Sequence, residues 1–285
     1  LKVSAGILNI RLHPHSPEIY DVFLKSIFDL RVVAQVHGDR YGMISLIDRR
    51  FAKDGVVTGA FTTFVQIEAD GNWFDTAKLS GASNQQVAEI HIPSNLKANS
   101  AAYYFEFNLQ KHLLTFQNYS RGHWITPLSA LKFFRNLSQN STITTLFGEA
   151  KISLVQQHKA LEKLFSIPKL SEIKITILRP NPDIFSEAFE DVVEAHLAES
   201  HSKSLTVIYQ AEAGSSLSPT AEIKQISAVA VENGKVEVKG KDGSGSVNQS
   251  TESFPVIKQG TYDPDETSER NAFFALLRGT LSGGG

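Results

Sequence analysis

The chain opens on Val3-Ser-Ala-Gly-Ile-Leu-Asn-Ile-Arg-Leu12, where apolar and polar positions alternate well enough to predict a strand. Ser16-Pro17 then supplies an N-cap residue and a proline at the first helical position. Ile19, Phe23, Ile27 and Leu30 follow at helical spacing, so a helix over 17–30 should pack on that strand. Val- and Ile-rich runs at 31–37, 41–48 and 56–68 read as short strands, separated by Gly38-Asp39 and Asp54-Gly55. Residues 101–119 read as a hairpin. Tyr103, Phe105, Phe107 and Leu109 share one face of its first strand, and Leu114 and Phe116 meet them from the second. Gly122 and Pro127 break the chain before a helix over about 128–139 that carries Leu128, Leu131, Phe134 and Leu137.

Between 149 and 178 the period switches from 2 to 3.6 and back. Ile152 and Leu154 mark a strand, Leu161, Leu164 and Phe165 a short helix, and Ile173, Ile175 and Ile177 a second strand. Strand–helix–strand in about 30 residues predicts parallel pairing through a right-handed crossover. A helix at about 183–200 and a strand at 204–210 extend the pattern. After Gly214 come a helix over 219–233 closed by Asn233-Gly234 as a C-cap, a polar hairpin at 239–253, and a final helix. Asp263-Pro264-Asp265-Glu266 has the order of an N-cap, N1 and N3, and predicts that last start. The expected fold is α+β, with mixed sheets, a ferredoxin-like strand–helix–strand unit and a C-terminal helix–hairpin–helix extension. The expected lobes are 1–127, 128–213 and 214–285.

Composition narrows the chemistry. The 285 residues are 41% hydrophobic and 20% charged, a globular balance. There is no cysteine, which excludes a disulfide framework, a thiol nucleophile, an iron–sulfur cluster and the usual structural zinc sites. No apolar run approaches the length of a membrane span, so the expected location is the cytoplasm and no membrane is expected as a partner.

Net charge is −2, yet its distribution is uneven: residues 121–182 carry net +6 and residues 183–234 net −7. Within the basic block, Lys132 and Arg135 are one helical turn apart, Lys159 and Lys163 are four residues apart on the next helix, and Lys151 and Lys174 point away from the Ile-rich strand faces. Arg121 precedes them in a loop, and Arg179 lies near the end of the second strand. Converging on one surface, such residues neutralise phosphates and bind DNA without reading its sequence. The competing reading is an ordinary solvated face, partly paired with the acidic helix that follows.

Other patterns carry less. His13-Pro14-His15 offers two imidazoles where a metal site needs at least three converging ligands. Asp263, Asp265 and Glu266 resemble a cation loop, but Ser268 stands where its glycine should be, and helix capping accounts for all three carboxylates. Gly234, Gly240, Gly243 and Gly245 lie among lysines without the spacing of a phosphate loop, so a flexible hairpin is expected there. Trp73-Phe74 and Tyr103-Tyr104 offer base-stacking rings, though such pairs more often fill cores and hairpins. No catalytic motif and no cofactor is expected from these residues.

Five strings along nearly the whole chain carry a resemblance. They are Leu8-Asn-Ile-Arg-Leu-His-Pro-His-Ser-Pro-Glu18, Phe64-Val-Gln-Ile-Glu-Ala-Asp-Gly-Asn-Trp-Phe-Asp75, Ile92-Pro-Ser-Asn-Leu-Lys97, Arg179-Pro-Asn-Pro-Asp183 and Tyr262-Asp-Pro-Asp265. The sequence resembles the bacterial family known as domain of unknown function 4747, which brings no catalytic residue with it. The resemblance implies a setting of mobile elements and phage defence. In layout alone the chain is also similar to the lambda exclusion protein RexA and to RdgC-type recombination-associated proteins, which implies α+β DNA binding, often as a dimer. The leading expectation is a non-enzymatic, sequence-independent DNA-binding protein in bacterial defence. The alternatives are a protein-interaction module acting as a homodimer or with a protein partner, and a metal-dependent nuclease assembled from distant carboxylates.

Overall fold

A computed structural model describes residues 1–13, 16–178, 195–197 and 199–281. The expected helix at 183–200 lies mostly outside the described residues, as do Pro14, His15 and Arg179. The first strand, β1 (Lys2–Arg11), is central to the larger sheet and buried on both faces along nearly its whole length. Its even positions Leu8 and Ile10, with Leu12 just beyond, join the main core, while Val3 and Ala5 face the other way.

The helix predicted after β1 is α1 (Pro17–Asp29). Ser16 caps it by accepting from the Ile19 amide, and Tyr20, Phe23, Leu24 and Ile27 are buried. Three strands follow, β2 (Ala34–His37), β3 (Arg40–Asp48) and β4 (Val56–Val65). Two minor strands, β5 (Phe74–Asp75) and β6 (Ser80–Gly81), form a small ribbon, and α2 (Asn84–Ala88) follows it. The expected hairpin is β7 (Ala98–Asn108) and β8 (Leu113–Gln117), paired Phe105 to Phe116 and Phe107 to Leu114. After the short ribbon β9 (Tyr119–Ser120) and β10 (His123–Trp124) come α3 (Pro127–Ser138), α4 (Ser141–Phe147) and β11 (Lys151–Leu154).

The order in the eight-stranded antiparallel sheet is β11-β1-β8-β7-β4-β3-β2, with a late strand, β16 (Ile257–Thr261), also on β1. Helix α3 touches both β2 and β11, the two ends of that order, so the sheet curls around it. Its Phe133 and Phe134 meet Phe61 of β4 with ring centroids 5.4 and 5.6 Å apart. Each such fully buried ring stabilises the fold by about 2–3 kcal/mol.

The strand–helix–strand prediction needs correction. Its strand, helix and strand are all present, but β11 pairs antiparallel with β1, whereas β12 (Lys169–Leu178) starts a different sheet. The linking helix α5 (Ala160–Phe165) is six residues, about 9 Å. That is too short to carry the chain back along a ten-residue strand into a parallel position. The second sheet is antiparallel throughout, in the order β13-β12-β14-β15, with β13 (Ser204–Gln210), β14 (Gly234–Asp242) and β15 (Gly245–Ser250). Ile173, Ile175, Ile177, Val236 and Val238 face helix α6 (Ala221–Asn233) and Leu164 of α5 in a second core. The ferredoxin-like description therefore does not apply to this unit.

The expected C-terminal extension also takes a different form. Helix, hairpin and last helix are present, but α6 and the β14–β15 hairpin complete the second sheet. The chain then returns through β16 to the first sheet, where the last helix, α7 (Glu269–Arg278), buries Phe273, Phe274 and Leu276 against Val3 and Ala5. The expected break at 127/128 falls beside the helix around which the first sheet curls, and that at 213/214 falls between two strands of the second.

Two local readings change as well. Gly234 is no left-handed cap: its φ is 173°, an extended value, and it passes straight into β14. Glycine is needed there for space, because a Cβ would lie 1.9 Å from the Thr176 carbonyl oxygen. Helix α7 starts later than predicted, with Ser268 accepting from the Asn271 amide at 3.2 Å, while Asp263 accepts from Asp265 in the preceding turn.

Candidate anion-binding groove

The inner face of the second sheet is covered by helices, and among the described residues its outer face is exposed at the hairpin end. Period-2 alternation puts Lys235, Glu237, Lys239 and Lys241 of β14 on that outer face, opposite the inward Val236, Val238 and buried Gly240. Neighbouring strands add Glu172, Lys174 and Thr176 from β12 and Ser246 and Asn248 from β15. Across the middle of the face the charges alternate and neutralise one another. Lys239 meets Glu172 at 2.9 Å, Lys174 meets Glu237 at 3.5 Å, and Lys235 meets Glu237 at 3.0 Å. The Lys239 ammonium and the Gln210 amide hold the Glu172 carboxyl below the usual carboxylate range.

At the hairpin end this alternation stops. Lys169 of β12 and Lys241 of β14 are directly opposed, a like-charge pair that costs stability when nothing lies between. They line a groove of about 530 Å³ with Ser171, Ser215, Lys239, Ser246 and Asn248, and none of its described lining residues carries a carboxylate. The Lys169 and Lys241 ammonium groups, with hydroxyl and amide donors around them and Lys239 held by Glu172 beside them, form a surface suited to phosphate oxygens.

The seven basic residues expected from the sequence do not gather there. Arg135 and Lys174 belong to one network: Arg135 approaches Glu252 at 3.8 Å, Glu252 approaches Lys235 at 3.9 Å, and Lys235 leads through Glu237 to Lys174. Arg135 also donates through Nε to the Ile152 carbonyl of β11, and burial lowers its pKa. Lys132, one turn away on α3, is directed to the other end of the strand order and donates to Gln35 of β2. Lys151 pairs with Glu149 at 2.7 Å, and Arg121 lies 3.7 Å from Glu269 of α7. Lys159 is exposed at the start of α5, and Lys163 sits over the Phe254 ring at 4.8 Å. Of the two aromatic pairs, Trp73 donates to the Ala69 carbonyl and Tyr103 stacks on Phe61 in the core.

Sequence reasoning missed Lys169, Lys239 and Lys241 as a set. The signal was the Lys-x-Glu-x-Lys-x-Lys alternation of 235–241, visible only when that stretch is read as a strand. The glycines and lysines together suggested a flexible hairpin, and the hairpin is present, but Gly240 is there because a Cβ would meet the Lys169 carbonyl oxygen at 2.3 Å.

These features define a two-sheet α+β protein whose second sheet presents a lysine-bearing face. The chain belongs to the family described as Domain of unknown function (DUF4747), whose model matches residues 1–278. No curated protein matches it. Among the described residues, no helix is long and apolar enough to cross a membrane.

Proposed function

We propose that this chain binds nucleic acid without catalysis and without reading its sequence, through phosphate contacts at the hairpin end of the second sheet. The observation that carries the reading is the opposed pair Lys169 and Lys241 in a groove whose described lining residues include no carboxylate. A polyanion laid across it relieves the like-charge repulsion and releases its own counterions, which makes binding salt-sensitive. The bacterial defence setting implied by the family resemblance belongs to this same proposal. The residues responsible shift from the seven expected to Lys169 and Lys241, with Lys239 held by Glu172 beside them and Lys159 and Lys163 as exposed basic neighbours in the chain.

The test is a fluorescence-anisotropy titration with duplex and single-stranded DNA at two salt concentrations. Binding is expected to weaken with salt, with a log–log slope of about −2 for two phosphates neutralised on duplex. The K169E/K241E double variant should lose at least about tenfold in affinity, in line with two lost phosphate contacts. Absence of binding at low salt, binding indifferent to salt, or full affinity in the double variant would each overturn the proposal.

A further inference from the structure

A second cleft lies between α7 and the outer face of the first sheet, away from the lysine groove. Its floor is a row of mutually opposed residues on three adjacent strands: Asp48 on β3, Thr58 on β4 and Glu106 on β7. One wall is a stripe of α7, where Arg270, Phe274 and Arg278 recur every fourth residue. The turn carrying Arg50 and the exposed ring of Phe51 forms the other. The cleft holds about 550 Å³, within the range of small-molecule sites.

The polar groups in this cleft are unevenly used. Asp48 is occupied by Arg50, whose Nε and Nη2 donate to it at 2.9 and 2.5 Å. Glu106, half-buried on the floor, accepts no hydrogen bond among the described residues, and Arg270 and Arg278 form no ion pair among them. The Arg270 guanidinium lies over the Phe274 ring at 5.2 Å, and Arg278 is two helical turns from it, about 12 Å along the wall. A ligand that satisfies all of these offers adjacent N–H donors to Glu106, a flat ring to the exposed Phe51, and an anion to Arg270. Inorganic phosphate alone leaves Glu106 facing a like charge, and an aliphatic carboxylate leaves it without a donor.

We propose that the cleft between α7 and the first sheet binds a purine mononucleotide with a guanine-type donor edge, the base on Glu106 and against the exposed Phe51 ring, the phosphate at Arg270. The paired ring N–H and amino group of guanine match the two oxygens of a carboxylate, whereas adenine offers an amino group beside an acceptor. A duplex does not enter a cleft of this size, so the site is separate from the lysine groove.

Isothermal titration of the full chain with GMP, AMP, guanosine and inorganic phosphate tests this, with thermal melts of each variant to confirm folding. GMP should bind saturably, and AMP, guanosine and phosphate each about tenfold or more weakly, the loss expected for one unmatched charged hydrogen bond. The exposed-site variant R270A should weaken GMP by about tenfold while leaving guanosine unchanged, and E106Q should erase the preference for GMP over AMP. K169E/K241E should bind GMP as the parent chain does, whatever becomes of its DNA binding. The proposal is overturned by absence of saturable GMP binding, by equal affinity for GMP and AMP, by folded R270A and E106Q variants that bind like the parent, or by loss of GMP binding in K169E/K241E.

Discussion

Asp48 and Glu106 share one sheet face two strands apart, yet their surroundings push them in opposite directions. Hydrogen bonds from the Arg50 side chain and amide hold Asp48 down at about 2. Burial raises Glu106, against the smaller opposing pull of Arg278 on α7 and Lys258 on β16. The sign of the consequence for Glu106 follows from linkage. The folded chain holds this proton more tightly than the unfolded chain, so the protonated carboxyl stabilises the fold below the ordinary glutamate range. That contribution is lost as pH rises from the ordinary value through the raised one. Comparing melting temperatures of the parent chain and E106Q from about pH 4 to pH 7, the parent should fall progressively relative to the variant. A constant difference across that range would show that residue 106 is not the group responsible. Nothing in the spacing of Glu106 distinguishes it from other strand glutamates. The charges that oppose its burial, Arg278 and Lys258, lie more than 150 positions further along the chain.

At the scale of elements, local signals were legible wherever a single stretch of chain decides the outcome. Ser16-Pro17 opens α1 as expected, whereas Pro127, expected as a break, is the first residue of α3 behind the cap Thr126; each hydroxyl accepts from the amide three residues on. The Tyr103, Phe105 and Phe107 alternation of β7 points into the core as the period-2 rule requires. The start of α7 was misjudged because two cap-like sequences lie five residues apart, and both satisfy the local pattern. The β16 pairing and the seat of Phe273 against β1 select the later one. Removing the hydroxyl in Ser268→Ala should therefore cost about 1 kcal/mol in urea denaturation, and Asp263→Ala clearly less. Equal costs would return the cap to Asp263. The strand–helix–strand unit failed for a related reason: periodicity names each strand but is silent on its neighbour.

Across the whole molecule, the second sheet is an insertion between β11 and β16 of the first, and a buried polar seam joins the two. Arg11 at the end of β1 is fully buried, and burial lowers its pKa to about 10. It donates through Nη1 to Asn233 of α6 at 3.0 Å and through Nη2 to Ser153 of β11 at 3.1 Å. Gln156 adds a bond to the Gly234 carbonyl at 2.7 Å. Truncating this guanidinium leaves a cavity and unsatisfied partners, so Arg11→Ala should destabilise the chain by about 3 kcal/mol in chemical denaturation. A loss below about 1 kcal/mol would show that the seam contributes little to holding the sheets together.

The sequence by itself determined the α+β class, most strands and helices, and the family, because residue spacing alone sets which way a side chain faces along a helix or strand. Only the tertiary structure decided which basic residues remain available to an anion. Arg121 meets Glu269, Arg135 meets Glu252 and Lys174 meets Glu237, partners 148, 117 and 63 positions further along the chain. A segment's net charge counts its own residues, whereas neutralisation depends on what folds against it. Three cations of the +6 block are thus paired with acids from outside it, and the lysines left opposed to one another, Lys169 and Lys241, come from two strands that only the second sheet brings together.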